Sequence, residues 1–173
     1  MTEIEVKILE IDQALIEQKL ISLGATKTFD GVMRAVFFDF EDNSIALKGD
    51  LLRLRQEGES AVFAYKKNIT QGETKVMEEL ETVVTAPQNL EAILSYLGIQ
   101  ATRVNEKHRV EYTLGDVHVV FDDYHGHLSA IPVFLEIEAP SEEKLFEMVR
   151  LLGYKPEDCN NWNTRDLIVH YGI

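Results

Sequence analysis

The chain has little of what staples, breaks or anchors a protein. Its 173 residues include one cysteine, Cys159, which excludes an internal disulfide. Four prolines and ten glycines fall at turns and element ends rather than in a linker or low-complexity tract. No apolar run is long enough to cross a bilayer as a helix, which excludes that kind of membrane insertion. Basic charge is also short: 17 Lys and Arg stand against 30 Asp and Glu, a net charge of −13. Nucleic acid is a poor partner for such a chain, because duplex binding needs basic surface to neutralise phosphates. A small anionic substrate stays open, since local arrangement matters more than the sum. There is no Walker-type phosphate loop, no GxGxxG and no HExxH. A first strand beginning at residue 2 leaves no room for a signal peptide, so a cytoplasmic protein is expected. With 45% apolar residues, a single domain spanning 1–173 is expected.

What the chain does have is carboxylates where a soluble protein normally places hydrocarbon. Glu3-Ile4-Glu5, Glu79-Leu80-Glu81 and Glu136-Ile137-Glu138 each lie in a short strand-like segment, and the helical segments that follow end at Leu23-Gly24, Leu97-Gly98 and Leu152-Gly153. Alternate side chains of a strand share a face, so each acidic pair points one way and its apolar neighbours point the other. Carboxylates converging on one space repel at low dielectric, and hard divalent cations such as Mg²⁺ or Mn²⁺ relieve the repulsion.

The alternation predicts eight strands: Thr2 to Glu10, Arg34 to Glu41, Leu51 to Glu57, Ala61 to Ile69, Lys75 to Thr85, Arg103 to Thr113, Asp116 to Tyr124 and Pro132 to Ala139. Helices are predicted over Asp12 to Leu23, Gln88 to Leu97 and Glu142 to Leu152, with Asp12 and Ser141 as N-caps, and a last one starts at Thr164. Basic residues obey the same alternation: Lys7 with Glu3 and Glu5, Arg53 with Arg55, Lys66 on its own strand, and Lys107 with Arg109 and Glu111. His118, Val120 and Asp122 form one further run. If the strands close into a barrel, these faces meet inside as a nearly balanced set, and the excess acidity belongs to other residues. Guanidinium forks and ammonium groups beside carboxylates suit a phosphate chain bridged by cations.

Glu3-Ile-Glu-Val-Lys7 resembles the ExExK signature of the CYTH superfamily, the triphosphate tunnel metalloenzymes, which include class IV adenylyl cyclases and thiamine triphosphatases. Phe37-Phe38-Asp39, Leu52-Arg-Leu-Arg55, Ala64-Tyr-Lys66, Glu79-Leu-Glu81, Lys107-His-Arg109, Asp122 and Phe134-Leu-Glu-Ile-Glu138 continue the resemblance in order along nearly the whole chain. The resemblance implies an α+β fold, a closed eight-stranded antiparallel β-barrel with helices packed outside. It implies a small-molecule triphosphate as partner, Mg²⁺ or Mn²⁺ as cofactor, and leaves a homodimer open. On this reading Lys7, Arg53, Arg55, Lys66, Lys107 and Arg109 bind phosphates. Glu3, Glu5, Glu79, Glu81, Asp122, Glu136 and Glu138 serve the metal, and Glu136, Glu138, Lys66 and Arg55 carry the catalytic roles.

Hydrolysis of inorganic tripolyphosphate, a nucleoside triphosphate or thiamine triphosphate is preferred over cyclisation of ATP, because no residue is dedicated to adenine. A non-catalytic polyphosphate binder could dispense with the acids, all of which are present. The segment from Asp123 to Val133 departs from the family's compact Leu-Gly connection. His125 and His127 within it are read as part of a polar hairpin loop in preference to a transition-metal site. Trp162 and Tyr171 are read as packing anchors.

Overall fold

The computed structural model describes residues 4–58, 60–69 and 77–173. Its elements run β1 (Ile4–Ile8), α1 (Gln13–Ser22), β2 (Thr26–Phe40), β3 (Leu51–Glu57), β4 (Ser60–Asn68), β5 (Met77–Val83), α2 (Pro87–Tyr96), β6 (Ile99–Leu114), β7 (Val117–Tyr124), β8 (Phe134–Ala139), α3 (Glu142–Leu151) and α4 (Thr164–Tyr171). The strands form one antiparallel eight-stranded sheet in the order β1-β8-β7-β6-β2-β3-β4-β5. The α+β class that the resemblance implies is present. The order starts at β1 and ends at β5, and hydrogen bonds among the described residues do not close it, so the closed barrel is not confirmed. Among these residues no helix is long and apolar enough to cross a membrane.

The chain divides into two compact units, one of Met1–Gly31 with Lys107–Ile173 and the other Val32–Glu106. In the first, the odd residues of β7 and β8 and the facing helices make the core. Val117, Val119, Phe121, Leu135 and Ile137 are buried with Ile16 and Leu20 of α1 and Leu145, Met148 and Val149 of α3. Asp12 accepts a hydrogen bond from the Leu15 N–H and Ser141 one from the Lys144 N–H, which settles both helix starts as expected. Gly24 and Gly153 adopt φ of 85° and 92° just beyond α1 and α3, where a side chain would be strained. Lys19 of α1 donates to the Leu152 carbonyl at 2.7 Å, placing a cation at the negative end of α3. Truncation in this packed core leaves a cavity, so Ile137→Ala should cost about 2–5 kcal/mol, read as a fall in the urea midpoint with an unchanged slope.

In the second unit, Val36, Phe38, Leu52, Leu54 and Ala61 share one face, and α2 covers it with Leu94. Asp39 closes the turn after β2: its buried carboxylate accepts from the N–H groups of Phe40, Ile45 and Ala46 at 2.8–2.9 Å. Burial opposes that charge, and the three donors nonetheless hold its pKa below the ordinary value.

Two strands begin at least four residues earlier than the sequence predicts. β2 starts at Thr26 rather than Arg34, and β6 at Ile99 rather than Arg103. The early part of β2 is largely exposed and lacks alternation, and Gly31 reads as punctuation. Cross-strand contacts hold it instead, with Thr28 Oγ1 at 3.3 Å from Thr113 Oγ1. The expected strand starts at Thr2 and Lys75, and Glu3 with them, lie outside the described residues.

Candidate functional site

The polar face of the first unit is ordered in rows by strand register. Glu5 of β1 lies opposite Glu138 of β8, which lies opposite His118 of β7, which lies opposite Thr113 of β6. The next row runs Lys7, Glu136, Val120, Glu111. Beyond it Phe134 is opposite Asp122, and Asp122 is opposite Arg109. Cross-strand partners share a face, so these rows bring together the residues that the sequence placed on separate strands.

Hydrogen bonds bind the inner rows into one network. Arg109 presents a fork to Asp122, Nε to Oδ1 at 2.8 Å and Nη2 to Oδ2 at 2.7 Å, and Nη2 also reaches Glu136 Oε2 at 2.7 Å. Lys107 pairs with Asp122 Oδ2, and Lys7 bonds Glu5 while its Nζ lies 3.0 Å from Glu136 Oε1. The C-terminal segment dries this end of the face. Tyr124, Leu128, Ile131 and Phe134 form a cluster with Leu167 of α4, and Trp162 and Tyr171 pack against it, as the anchor reading expects. Leu128 and Ile131 also bring the loop carrying His125 and His127 into this apolar cluster. The Asp122 side chain is consequently 0% exposed, while the Glu5 side chain at the other end is 46% exposed.

Charge and burial oppose each other throughout. Burial disfavours the Lys7 ammonium, yet the Glu136 and Glu5 carboxylates raise its pKa well above the lysine range. Arg109 is likewise disfavoured by burial and held charged by Asp122 and Glu136. Burial pushes Glu136 up, but Lys107, Lys7 and Arg109 outweigh it and depress the carboxyl far below its ordinary value. Asp122 goes the other way: burial and the neighbouring Glu136 charge raise it, against Lys107 and Arg109. A depressed carboxyl stabilises the fold above its unfolded value and loses that contribution as pH falls. The stability difference between the native protein and Glu136→Gln should therefore be full at neutral pH and shrink as pH drops below the ordinary glutamate value of 4.5. Chemical denaturation of both proteins between pH 7 and pH 3 measures it.

The second unit carries a smaller polar face. Arg53 and Arg55 of β3 lie opposite Ala64 and Val62 of β4, and Ala64 and Lys66 lie opposite Glu81 and Glu79 of β5. Lys66 Nζ is 2.8 Å from Glu79 Oε2 and Arg53 Nη2 is 3.8 Å from its Oε1. Burial raises Glu79, and Lys66 with help from Arg53 brings it below its ordinary value. The faces of the two units thus divide the predicted residues: Glu5, Lys7, Lys107, Arg109, Asp122, Glu136 and Glu138 in one, Arg53, Arg55, Lys66, Glu79 and Glu81 in the other.

Among the described residues no three His, Cys, Asp or Glu side chains converge as they stand to hold a metal. The opposed carboxylates of Glu5 and Glu138 nevertheless fit one. Like charges directly opposite each other destabilise a sheet, and hard Mg²⁺ is typically held by one or two carboxylates, completed by water and substrate phosphate. Asp122 and Glu136 differ, because their oxygens already serve Arg109 and the two lysines.

Two members of the face had no assigned role in the sequence reading. Glu111 Oε1 lies 2.8 Å from His118 Nδ1 and also accepts from Thr28 Oγ1 at 3.3 Å. Parity places both residues on the polar face, but only the fold brings β6, β7 and the early part of β2 together.

Comparison with known proteins agrees with the resemblance read from the sequence. The family model for the CYTH domain matches residues 1–158. A provisionally assigned adenylate cyclase from Vibrio parahaemolyticus has a similar structure, with a TM-score of 0.78 at 16% identity over 96% of this chain and 97% of that one. A protein from Pyrococcus horikoshii aligns with a TM-score of 0.75 at 25% identity over 96% and 99% of the two chains. A Hippeastrum protein proposed as an adenylyl cyclase, and described as having a dominant triphosphatase activity, aligns with a TM-score of 0.67 at 15% identity over 99% and 96%. No curated protein matches the chain.

Proposed function

This chain belongs to the CYTH domain family, and from that premise we propose that it hydrolyses a small triphosphate with the help of a divalent cation. The observation that carries the proposal is the network of Lys7, Lys107 and Arg109 with Asp122 and Glu136, beside the opposed pair Glu5 and Glu138. A purely structural polar face would have little reason to bury three cations against two anions, since desolvation makes such networks costly.

Each residue then has a task. Lys7, Lys107 and Arg109 are the phosphate-binding cations of the first unit, where they offset charge that develops on the leaving oxygen, and Arg53, Arg55 and Lys66 are those of the second unit's face. Arg109 has Nε and Nη2 committed to carboxylates, so Nη1 is the guanidinium nitrogen it offers to an incoming phosphate. Asp122 and Glu136 orient these cations, a different task from the metal ligation expected of them. Glu5 and Glu138 would hold Mg²⁺ or Mn²⁺ in the first unit, and Glu79 and Glu81 are the carboxylates that the second unit's own face offers to a cation. A bound divalent cation supplies Lewis-acid polarisation of phosphoryl oxygens and lowers the pKa of water. Lys66 and Arg53 both lie within 4 Å of Glu79, which places them side by side on this face.

The test is incubation with tripolyphosphate, ATP and thiamine triphosphate, each with Mg²⁺ or Mn²⁺, and chromatography of the products. Orthophosphate plus a shortened chain is the expected result. Cyclic AMP and pyrophosphate would replace hydrolysis by cyclisation, and tight binding without turnover would leave a polyphosphate-binding module.

A further inference from the structure

We propose that His118 is a nitrogen ligand of the divalent cation held by Glu5 and Glu138, and that it biases this site toward Mn²⁺ over Mg²⁺. The inference rests on the metal-dependent reading above and adds a ligand and a selectivity to it. Three observations carry it. First, register puts Glu5, Glu138 and His118 in a single row on three adjacent strands, with Glu138 in the middle. Adjacent partners in such a row have Cβ atoms about 5 Å apart, within reach of a shared ion for side chains of this length.

Second, the imidazole is already oriented. Glu111 Oε1 lies 2.8 Å from Nδ1, and Thr28 Oγ1, 3.3 Å from the same carboxylate oxygen, helps to fix it. A carboxylate accepting the Nδ1–H sets the tautomer and leaves Nε2 with its lone pair, the arrangement that metal-bound histidines generally show. Nε2 has no hydrogen bond among the described residues. Third, this end of the face is the open one. The His118 side chain is 44% exposed and that of Glu5 46%, so an ion and its waters can enter here, whereas Asp122 is sealed.

As the chains stand, Glu5 is drawn toward Lys7, and the three groups do not converge. Binding requires the Glu5 carboxylate to exchange the Lys7 ammonium for the cation, while Glu136 keeps Lys7 paired. Selectivity follows from ligand type. Mg²⁺ prefers an all-oxygen shell and keeps several waters, whereas transition ions gain from an imidazole nitrogen.

The experiment uses the full chain with Mn²⁺ alone, then Mg²⁺ alone, in titration calorimetry, together with pulsed electron paramagnetic resonance of the Mn²⁺-loaded protein. The native protein should show hyperfine coupling to an imidazole nitrogen, and His118→Gln should lose it. The same variant should weaken Mn²⁺ binding by about tenfold or more and Mg²⁺ binding by less than about threefold. Bound Mn²⁺ without nitrogen coupling in the native protein overturns the proposal without needing any variant to fold. Coupling that survives His118→Gln overturns it as well, since another histidine would be the ligand. Glu138→Gln separates the two readings: if it leaves Mn²⁺ affinity unchanged, or if the native protein binds no Mn²⁺, the metal site at Glu5 and Glu138 falls and His118 with it.

Discussion

Arg109→Ala should destabilise the protein by about 3–5 kcal/mol, among the largest losses expected of any single substitution here. Asp122 is fully buried and receives three N–H donors from Arg109 and Lys107, and Glu136 receives a further one from Arg109. Truncating Arg109 leaves one buried carboxylate with Lys107 alone and the other with Lys7 alone. The cost is dominated by carboxylates stripped of their donors rather than by the lost attraction itself. Thermal melting should show a fall of about 6–20 °C, at about 2–4 °C per kcal/mol for a chain of this size. Arg109→Ala combined with Asp122→Ala should lose less than the sum of the two single changes, because the double variant buries no stranded aspartate. Additive losses, or a melting point that barely moves, would show that this network is solvated.

Glu138→Gln should reduce triphosphate turnover by about a hundredfold or more. Glutamine keeps the shape and removes one charge from the pair opposite Glu5, and loss of a metal-based contribution of a few kcal/mol translates into that factor. Glu136→Gln should also cost stability. Its oxygens are bonded to Lys7 and Arg109, so the same isosteric change should lower both activity and stability. Steady-state rates at saturating Mg²⁺ or Mn²⁺, paired with melting curves, measure both effects. Full activity of Glu138→Gln in excess chelator would remove the cation from the mechanism.

The distinction between Glu136 and Glu138 shows where reading the chain reached its limit. Both carboxylates sit on one face of β8 by alternation, and period-two patterning places Lys7, Arg53, Arg55, Lys66, Lys107 and Arg109 in the same way. The element types and the acidic and basic faces follow from this local rule, because side-chain direction in a strand depends only on position along it. The helix starts at Asp12 and Ser141 were legible for a similar reason: a cap acts on N–H groups within three residues of itself. Strand ends in β2 were not, since Thr26 to Gly31 are held by partners more than eighty residues away, such as Glu111 and Thr113.

By itself the sequence determined that this is an α+β chain of alternating strands, that its charged residues gather on particular strand faces, and that the order of those strands matches the CYTH family. Only the tertiary structure decided which charges meet. Register set Glu138 between Glu5 and His118, the fold closed Lys107 and Arg109 around the buried Asp122, and the approach of β6 to β7 gave His118 its carboxylate partner. The physical reason is that pairing and dryness are properties of neighbours far apart in the chain. A carboxylate becomes a metal ligand, an orienting group or a solvated surface charge according to the donors and the water that its surroundings leave it.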